Sequence, residues 1–488
     1  LSKSTRLSSA TLATLPASVT RPAYDRSAVT PGVVHLGIGA FHRAHQAVYV
    51  EDCLARGQTD WGIVGASLRR PDTQEALAPQ DGLYGLAVRS GTGTHWRVVG
   101  SVIDLCVARP GEDALLARMC DPRVRIVSLT VTEKGYCHDP ATGALDESHP
   151  AIRADLASPH APSSAIGLMV EALARRRAAG IAPFTILSCD NLPANGRTVA
   201  GLVARYARLR DADLGAYVAG EVACPSTMVD RIVPATTDAD RAEAAAALGL
   251  TDAWPIMTEP FSQWVVEDHF PSGRPDFGAV GVELVRDVAP YELMKLRMLN
   301  GAHSTLAYCG LLMGHETVAD AIGDPRLARV ADALWQAAAR TLPGGLDTGG
   351  YAARLRERFA NPALRHRLIQ IAMDGSQKLP QRLLGTVRDL LKTGAPVEPL
   401  LPGIAAWLLH LRGRRDDGTT YPINDPLASA IAALSPEPGE DPEATVLRLL
   451  ELTSVFGEDL PRNPAFTRPL AALYGDMARQ GVAAALAD

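Results

Sequence analysis

A short apolar run that ends in Gly37-Ile38-Gly39 and passes directly into a helical pattern constrains the fold of this chain more than any other feature. Residues 32–38 (GVVHLGI) are apolar and β-branched and read as a short strand, while the β-branched run at 124–131, without clean alternation, suits a sheet covered on both faces. Residues 44–54 then carry helical periodicity. The alternation recurs: residues 61–68, 94–105, 124–131 and 184–189 read as strands, and 165–179 and 197–208 as helices. Such alternation over the first ~280 residues predicts a mostly parallel, doubly wound sheet. After Asp287 the patterns are almost purely helical, over residues 291–312, 327–341, 351–359, 364–373, 381–392, 403–411 and 443–455. A Pro/Gly-rich stretch at 271–281 precedes the change. The expectation is an α/β domain over residues 1–285 followed by a mainly α-helical domain over 286–488.

Composition excludes several classes of partner. The net charge of −6 over 488 residues comes without a long basic run, which argues against nucleic acid. The apolar stretches are too short to span a bilayer, so no membrane partner is expected. Residues 1–17 are Ser/Thr-rich, lack the apolar core of a secretory signal and read as a loose lead-in. The seven cysteines are scattered with no CxxC, which fits reduced thiols in a cytoplasmic protein.

The turn at residues 37–42 sits between strand and helix, the context a dinucleotide fingerprint needs. Gly37 permits a tight turn, and Gly39 lets backbone approach a pyrophosphate at the helix start. Gly37, Ile38, Gly39, Ala40, Phe41 and His42 are therefore the candidate cofactor-binding residues, with His42 replacing the usual third glycine. Asp72, beyond the second strand, could hold a ribose 2′-hydroxyl and favour NAD; Arg70 could instead meet a 2′-phosphate and admit NADP. His42 and His45 have the i, i+3 spacing of a metal pair, but no carboxylate or cysteine lies nearby in sequence to complete a site, so packing or phosphate proximity is the expected role.

A second cluster lies in residues 295–303 (KLRMLNGAH), which brings an amine, an amide and an imidazole into one helical pattern. On an ideal α-helix Asn300 lies ~140° and His303 ~80° round from Lys295, and the rise from Lys295 to His303 is ~12 Å. Arg297 lies ~200° round and should face away. Hydride transfer from a secondary alcohol needs a base for the hydroxyl proton and donors for the developing oxyanion. Lysine suits the first role and asparagine amides the second. Asn191, just past a strand end, is placed where open α/β sheets build their sites, and a cleft between the two domains would unite it with Lys295, Asn300 and His303.

The motifs VHLGIGAFHRAHQAVY (34–49), SLTVTEKGYC (128–137), SCDNLPANG (188–196), PSTMVDRIVP (225–234), EPFSQWVVED (259–268) and KLRMLNGAHSTLAY (295–308) closely resemble those of the polyol-specific long-chain dehydrogenases, the mannitol dehydrogenase and mannonate oxidoreductase family. The resemblance covers nearly the whole length. It implies a Rossmann-like N-terminal domain, a helical C-terminal domain, and an NAD(P)-linked, metal-independent enzyme. It also implies Lys295 as general base, Asn191 and Asn300 as ligands of the reacting oxygen, His303 as substrate orienter, and Val229 and Asp230 as pocket-lining residues. Asp72 matches an acidic position near the adenosine ribose, with Pro71 where relatives can carry another acid. Within the family the resemblance is strongest to the fructuronate reductase (D-mannonate oxidoreductase) branch, carried by PAYDRS (22–27) and residues 364–384 as well. Mannitol dehydrogenases tend to have a second lysine three residues after the position of Lys378; here Gln381 is followed by Arg382. A sugar-acid carboxylate would suit a guanidinium fork, so Arg382 or Lys378 is the candidate anchor. The implied substrate is a small sugar acid, with mannitol or another linear polyol such as arabinitol as the alternative. The implied assembly is a monomer or weak homo-oligomer. A nucleotide-binding protein without catalysis is the third reading, against which the complete Lys295, Asn191, Asn300 and His303 set counts.

Overall fold

The computed structural model describes residues 5–109, 111–139, 141–363, 366–434 and 441–487. The chain forms two compact units, Leu1–Ala289 and Pro290–Asp488. In chain order the strands of the first unit are β1 (Pro31–Leu36), β2 (Gly62–Ser67), β3 (Tyr84–Ser90), β4 (Gly93–Val99), β5 (Val102–Val107), β6 (Ile126–Leu129), β7 (Thr185–Ser188), β8 (Thr227–Asp230), β9 (Ile256–Thr258), β10 (Gln263–Glu267) and β11 (Glu283–Val285).

Five strands form a parallel sheet in the order β5-β2-β1-β6-β7. This is the doubly wound, Rossmann-like arrangement. Successive residues of one strand feed opposite cores, because strand side chains alternate. Val34, Val64, Val127 and Ile186 pack under the helices Ala165–Ala178 and Asn195–Arg210. Val33, Ile63, Ile126 and Leu187 pack on the other side with Val48, Leu54, Val229 and Trp264. Burial on both faces explains why these strands read as unbroken apolar runs. Two three-stranded sheets, β11-β10-β8 and β4-β3-β9, complete the unit.

Three expectations are corrected here. The single strand read at 94–105 is two strands in different sheets: β4 pairs antiparallel with β3, while β5 is the edge of the parallel sheet. The chain turns between them at Gly100 and Ser101, whose groups are held by the Glu51 carboxylate and the Ala47 carbonyl. The helix read at 44–54 starts earlier, at Ala40–Ala44, breaks at His45 (φ −122, ψ −90) and resumes as Gln46–Ala55. The lead-in is packed beyond its first four residues, which lie outside the described part. Leu7 pairs its N–H with the Thr251 carbonyl, and Leu7, Leu15 and Val19 bury against Trp96, Val98 and Leu248.

The second unit is helical throughout its described residues, apart from turns and isolated bridges. Its helix Gly301–Leu312 is buried at every position, which is why its sequence lacks a polar stripe. One π-helical segment, Lys295–Asn300, lies within the pattern read at 291–312, and another, Pro380–Leu384, opens the pattern read at 381–392. Of the pattern at 364–373, Leu368–Ile371 is helical, and residues 364 and 365 lie outside the described part. The pattern at 443–455 is two helices, Pro442–Leu449 and Thr453–Phe456. Among the described residues no helix is long and apolar enough to cross a membrane.

Candidate active site

The carboxyl ends of β1, β6 and β7 meet where the strand order reverses, the usual ligand site of an open α/β sheet. Gly37 there has φ +93, and a Cβ on it would come within 2.2 Å of the Thr130 carbonyl oxygen. No other residue fits this turn. Gly39 is exposed, and the nearest atom to an added Cβ would be 3.8 Å away, so its backbone is open to a ligand. It is followed by Ala40–Ala44, the start of the helical stretch. Ile38 anchors the turn in the core against Gly65. Ala40 and Phe41 are half-buried, and the Phe41 ring stacks on His45 at 5.0 Å.

His42 is buried, and its ring stacks at 3.4 Å on His35 of β1. Burial, then the neighbouring His35, push its pKa well below the usual imidazole value. His45 contacts the Gln263 carbonyl through Nε2 and the Gln46 amide through Nδ1. Both rings therefore have packing roles. His35 bonds Ser128 Oγ at 2.8 Å and Thr130 Oγ1 at 2.8 Å, and Thr130 Oγ1 donates to the Gly37 carbonyl at 2.7 Å. Since the Thr130 proton goes to Gly37, Thr130 accepts from His35 Nε2–H, and His35 Nδ1 accepts from Ser128. This relay from strand interior to glycine turn is a part of the site that periodicity did not reveal; its one sequence signal is a histidine interrupting an apolar strand. Asp72 opens the helix Asp72–Leu77 just beyond β2, with its side chain exposed. These residues fit a dinucleotide: a turn with glycines at Gly37 and Gly39, an open backbone and an acid beyond the second strand.

Asn191 lies in the loop that leaves β7 and is exposed. Asp190 before it is half-buried, and burial raises its pKa despite three hydrogen-bond donors. Val229 and Asp230 lie at the end of β8, both buried, in register with Trp264 and Gln263 of β10. Asp190 was not singled out from sequence, although it immediately precedes Asn191.

In the second unit Lys295 and Asn300 begin and end a π-helical segment and are both half-buried. The ideal α-helical angles therefore do not apply. Bonding of the i→i+5 kind widens the turn and moves residues five apart toward one line; the Gly301 N–H donates to the Leu296 carbonyl in this way. Lys295 and Asn300 thus share a face more closely than the ~140° of an α-helix. The carbonyl of Met298 in this wide turn accepts from Trp335 Nε1–H at 3.0 Å. Arg297 is buried, pairs with Asp389 at 2.6 Å and donates to the Thr341 carbonyl.

His303 follows on the next turn, 8% exposed, with its Nε2 buried and without a hydrogen-bond partner among the described residues. Its ring stacks on Phe359 at 4.5 Å and meets His366 edge-on at 5.3 Å. Burial and then the charges of His366, Arg358 and Arg382 hold it neutral, its pKa well below the usual value. Arg382, on the second π-helical segment, donates to Ser304 Oγ at 3.2 Å. Pro380 gives that segment its cause: it has no N–H to continue an α ladder, and its ring opposes the carbonyl four residues back. A Cβ on Gly301 would lie 3.0 Å from the Arg382 carbonyl, so the absence of a side chain there lets the two segments meet. Lys378 Nζ donates to the carbonyls of Ile371 (3.3 Å) and Met373 (2.5 Å). Asn300, His303 and Arg382 thus lie where the two π-helical segments approach each other, with Lys295 at the start of the first segment and Lys378 tied to its neighbouring loop.

A cavity of about 610 Å³ elsewhere in the first unit is lined by Tyr24, Arg26, Asp81 and Asp104. Arg26 there is engaged by the carbonyls of Gly100, Asp81 and Val102, and none of the expected site residues borders it.

Comparison with known proteins agrees across both units. Residues 31–278 match the family model described as the mannitol dehydrogenase Rossmann domain, and residues 287–478 the mannitol dehydrogenase C-terminal domain. A D-mannonate oxidoreductase of Escherichia coli (strain K12) is 44% identical over 471 residues, 95% of this chain and 96% of the relative. A mannitol 2-dehydrogenase of Cereibacter sphaeroides is 41% identical over 475 residues, covering 96% and 98%. The solved structure of a Pseudomonas fluorescens mannitol 2-dehydrogenase, a ternary complex with NAD and D-mannitol, is similar with TM-score 0.81 and 38% identity over 99% of this chain and 98% of that one. The glycine turn, the parallel sheet and the helical second unit are those of NAD-linked oxidoreductases, and the chain belongs to the mannitol dehydrogenase family.

Proposed function

We propose that this enzyme interconverts D-mannonate and D-fructuronate. The observation that carries this reading is Arg382, a half-buried guanidinium whose hydrogen bond to Ser304 Oγ ties it beside His303. A guanidinium offers five N–H donors in a fork that matches a carboxylate. A sugar acid would use both the fork and the charge; a neutral polyol would use neither fully. Lys378 is the weaker anchor, because two carbonyls already occupy its ammonium. The mannonate oxidoreductase relative supports the sugar acid. The mannitol 2-dehydrogenase relative and the D-mannitol complex favour a second reading, in which the substrate is mannitol or a similar linear polyol.

In this reading, bound NAD supplies the hydride acceptor. Lys295 takes the hydroxyl proton as the carbon is oxidised. The amides of Asn191 and Asn300 donate to the oxygen as negative charge develops on it. His303, neutral, hydrogen-bonds the substrate through Nε2, while Val229 and Asp230 line the pocket. Gly37 to His42 hold the pyrophosphate turn, and Asp72 meets the ribose and favours NAD, with Arg70 as the route to NADP.

The test is a steady-state comparison of D-mannonate and D-mannitol, each with NAD and NADP. A higher kcat/KM on mannonate is expected, and Arg382→Gln should raise its KM roughly 10- to 100-fold, the worth of a charge-assisted pair. A strong preference for mannitol would sink the sugar-acid reading.

A further inference from the structure

Asn191 stands in a loop, and an amide aimed at a reacting oxygen has to be held to a fraction of an ångström. Two clasps flank it. The Asp190 carboxylate accepts from the Val131 N–H (Oδ2, 2.9 Å), the Thr132 N–H (Oδ1, 3.0 Å) and the Tyr136 hydroxyl (Oδ2, 2.8 Å). Ser188 Oγ, 2.6 Å from Tyr136 Oη, donates to it in turn, since the tyrosine proton goes to Asp190. On the other side the fully buried Asn195 donates to the carbonyls of Asp190 (3.0 Å) and Thr227 (2.9 Å) and accepts from the Thr227 N–H (2.9 Å). Asp190 thus ties the end of β7 to the loop after β6. Asn195 ties it to β8, the strand of Val229 and Asp230.

The backbone at the first clasp is strained. Thr132 has φ +63 and ψ 162, a region that essentially only glycine enters, at a cost for other residues that the surroundings must offset. Ala194, at φ +45, adds a second left-handed non-glycine residue on the other side of Asn191. In this conformation the Thr132 N–H meets Asp190 Oδ1.

We infer that Asp190 is a positioning residue for the reaction: its bonds to Val131 and Thr132 hold the strained loop after β6 and thereby set the direction of Asn191. This rests on the role proposed above for Asn191. A carboxylate is suited to the task, because it accepts on both oxygens while an amide must present a donor on one side.

Two sets of variants separate this inference from the reading beneath it. Asn191→Ala is expected to abolish turnover; if its kcat stays at the wild-type level, the role of Asn191 fails and the inference with it. With that role upheld, Asp190→Asn should lower kcat ~10- to 100-fold, as a misplacement of about 1 Å does. NADH affinity should change little. Adding Thr132→Gly should restore most of the loss, measured against Thr132→Gly alone, because glycine adopts this backbone without strain. A merely structural role would lower the thermal midpoint and show no such rescue of kcat. An unchanged kcat in Asp190→Asn, or a loss that Thr132→Gly does not relieve, overturns the inference. If Asp190→Asn does not fold, Tyr136→Phe removes one of the three donors instead. A smaller fall in kcat, again relieved by Thr132→Gly, is then expected, and no fall would overturn the inference equally.

Discussion

At the scale of single residues, the two units divide the chemistry between backbone and side chains. The turn of the first unit acts through what it lacks. Gly37→Ala would put a methyl group 2.2 Å from the Thr130 carbonyl at a φ of +93, so we expect NADH binding to weaken by at least tenfold in fluorescence titration, the fold-equivalent of ~1.4 kcal/mol. In the second unit the proposed base is Lys295. Lys295→Ala should lower kcat by ~10²- to 10⁴-fold, the usual contribution of a positioned proton acceptor, while NADH binding stays intact; surviving turnover would disprove the assignment of the base. The glycine turn and the candidate lysine were legible in sequence because each is a signal of local chemistry. Asp190 and His35 were not, because their partners are 93 and 95 positions away for His35, and 54 to 59 for Asp190.

At the scale of elements, the informative departures are the two π-helical segments. One lies inside the run read as a helix over 291–312 and the other opens the run read over 381–392. A 3.6-residue period cannot distinguish one wide turn within such a run, and π-turns occur mostly as single-turn insertions, frequently at functional sites. The segment Lys295–Asn300 is braced by Trp335 and Arg297. Trp335→Phe leaves the buried Met298 carbonyl without its indole donor, so it should cost ~1–3 kcal/mol in denaturant unfolding. It should also lower kcat, as Lys295 and Asn300 drift out of alignment; an unchanged kcat would show that the bracing is only structural. Pro380→Ala restores the missing N–H and invites the second segment back toward an α register. The expected sign is a raised KM for the proposed sugar-acid substrate, through displacement of Arg382, with folding stability unchanged or improved.

At the scale of the whole molecule, both units bury neutral imidazoles. Burial holds His35 at about 3 and His42 well below its usual range in the first unit. In the second it lowers His303, His366 and His410, the last to about 4. Each folded-state pKa lies below the unfolded value of ~6.5. Between the two values the unfolded chain binds more protons, so stability is fully present above pH ~6.5 and falls as the pH drops toward the folded pKa. Each such group contributes up to about 1.4 kcal/mol per pH unit in that window. The urea midpoint should therefore decline steadily from pH 7 to pH 5, and His410→Gln should flatten the decline; a midpoint constant over that interval would refute the account.

The sequence by itself determined the class of fold and the order of its halves, and it put forward the candidate reacting groups. Alternating buried strands and helices admit a doubly wound sheet, and the glycine turn, the lysine and the asparagines proposed for the reaction are residue types that local sequence displays. Tertiary structure alone decided that residues 94–105 serve two sheets, because the apolar pattern is the same on either side of the turn at Gly100. It decided that Arg297 belongs to Asp389 and Arg382 to Ser304, since a guanidinium reaches whatever packing brings near it. It also decided the width of the helical turn that carries Lys295, where hydrogen-bond register depends on the helices packed around it and not on the period of the residues within it.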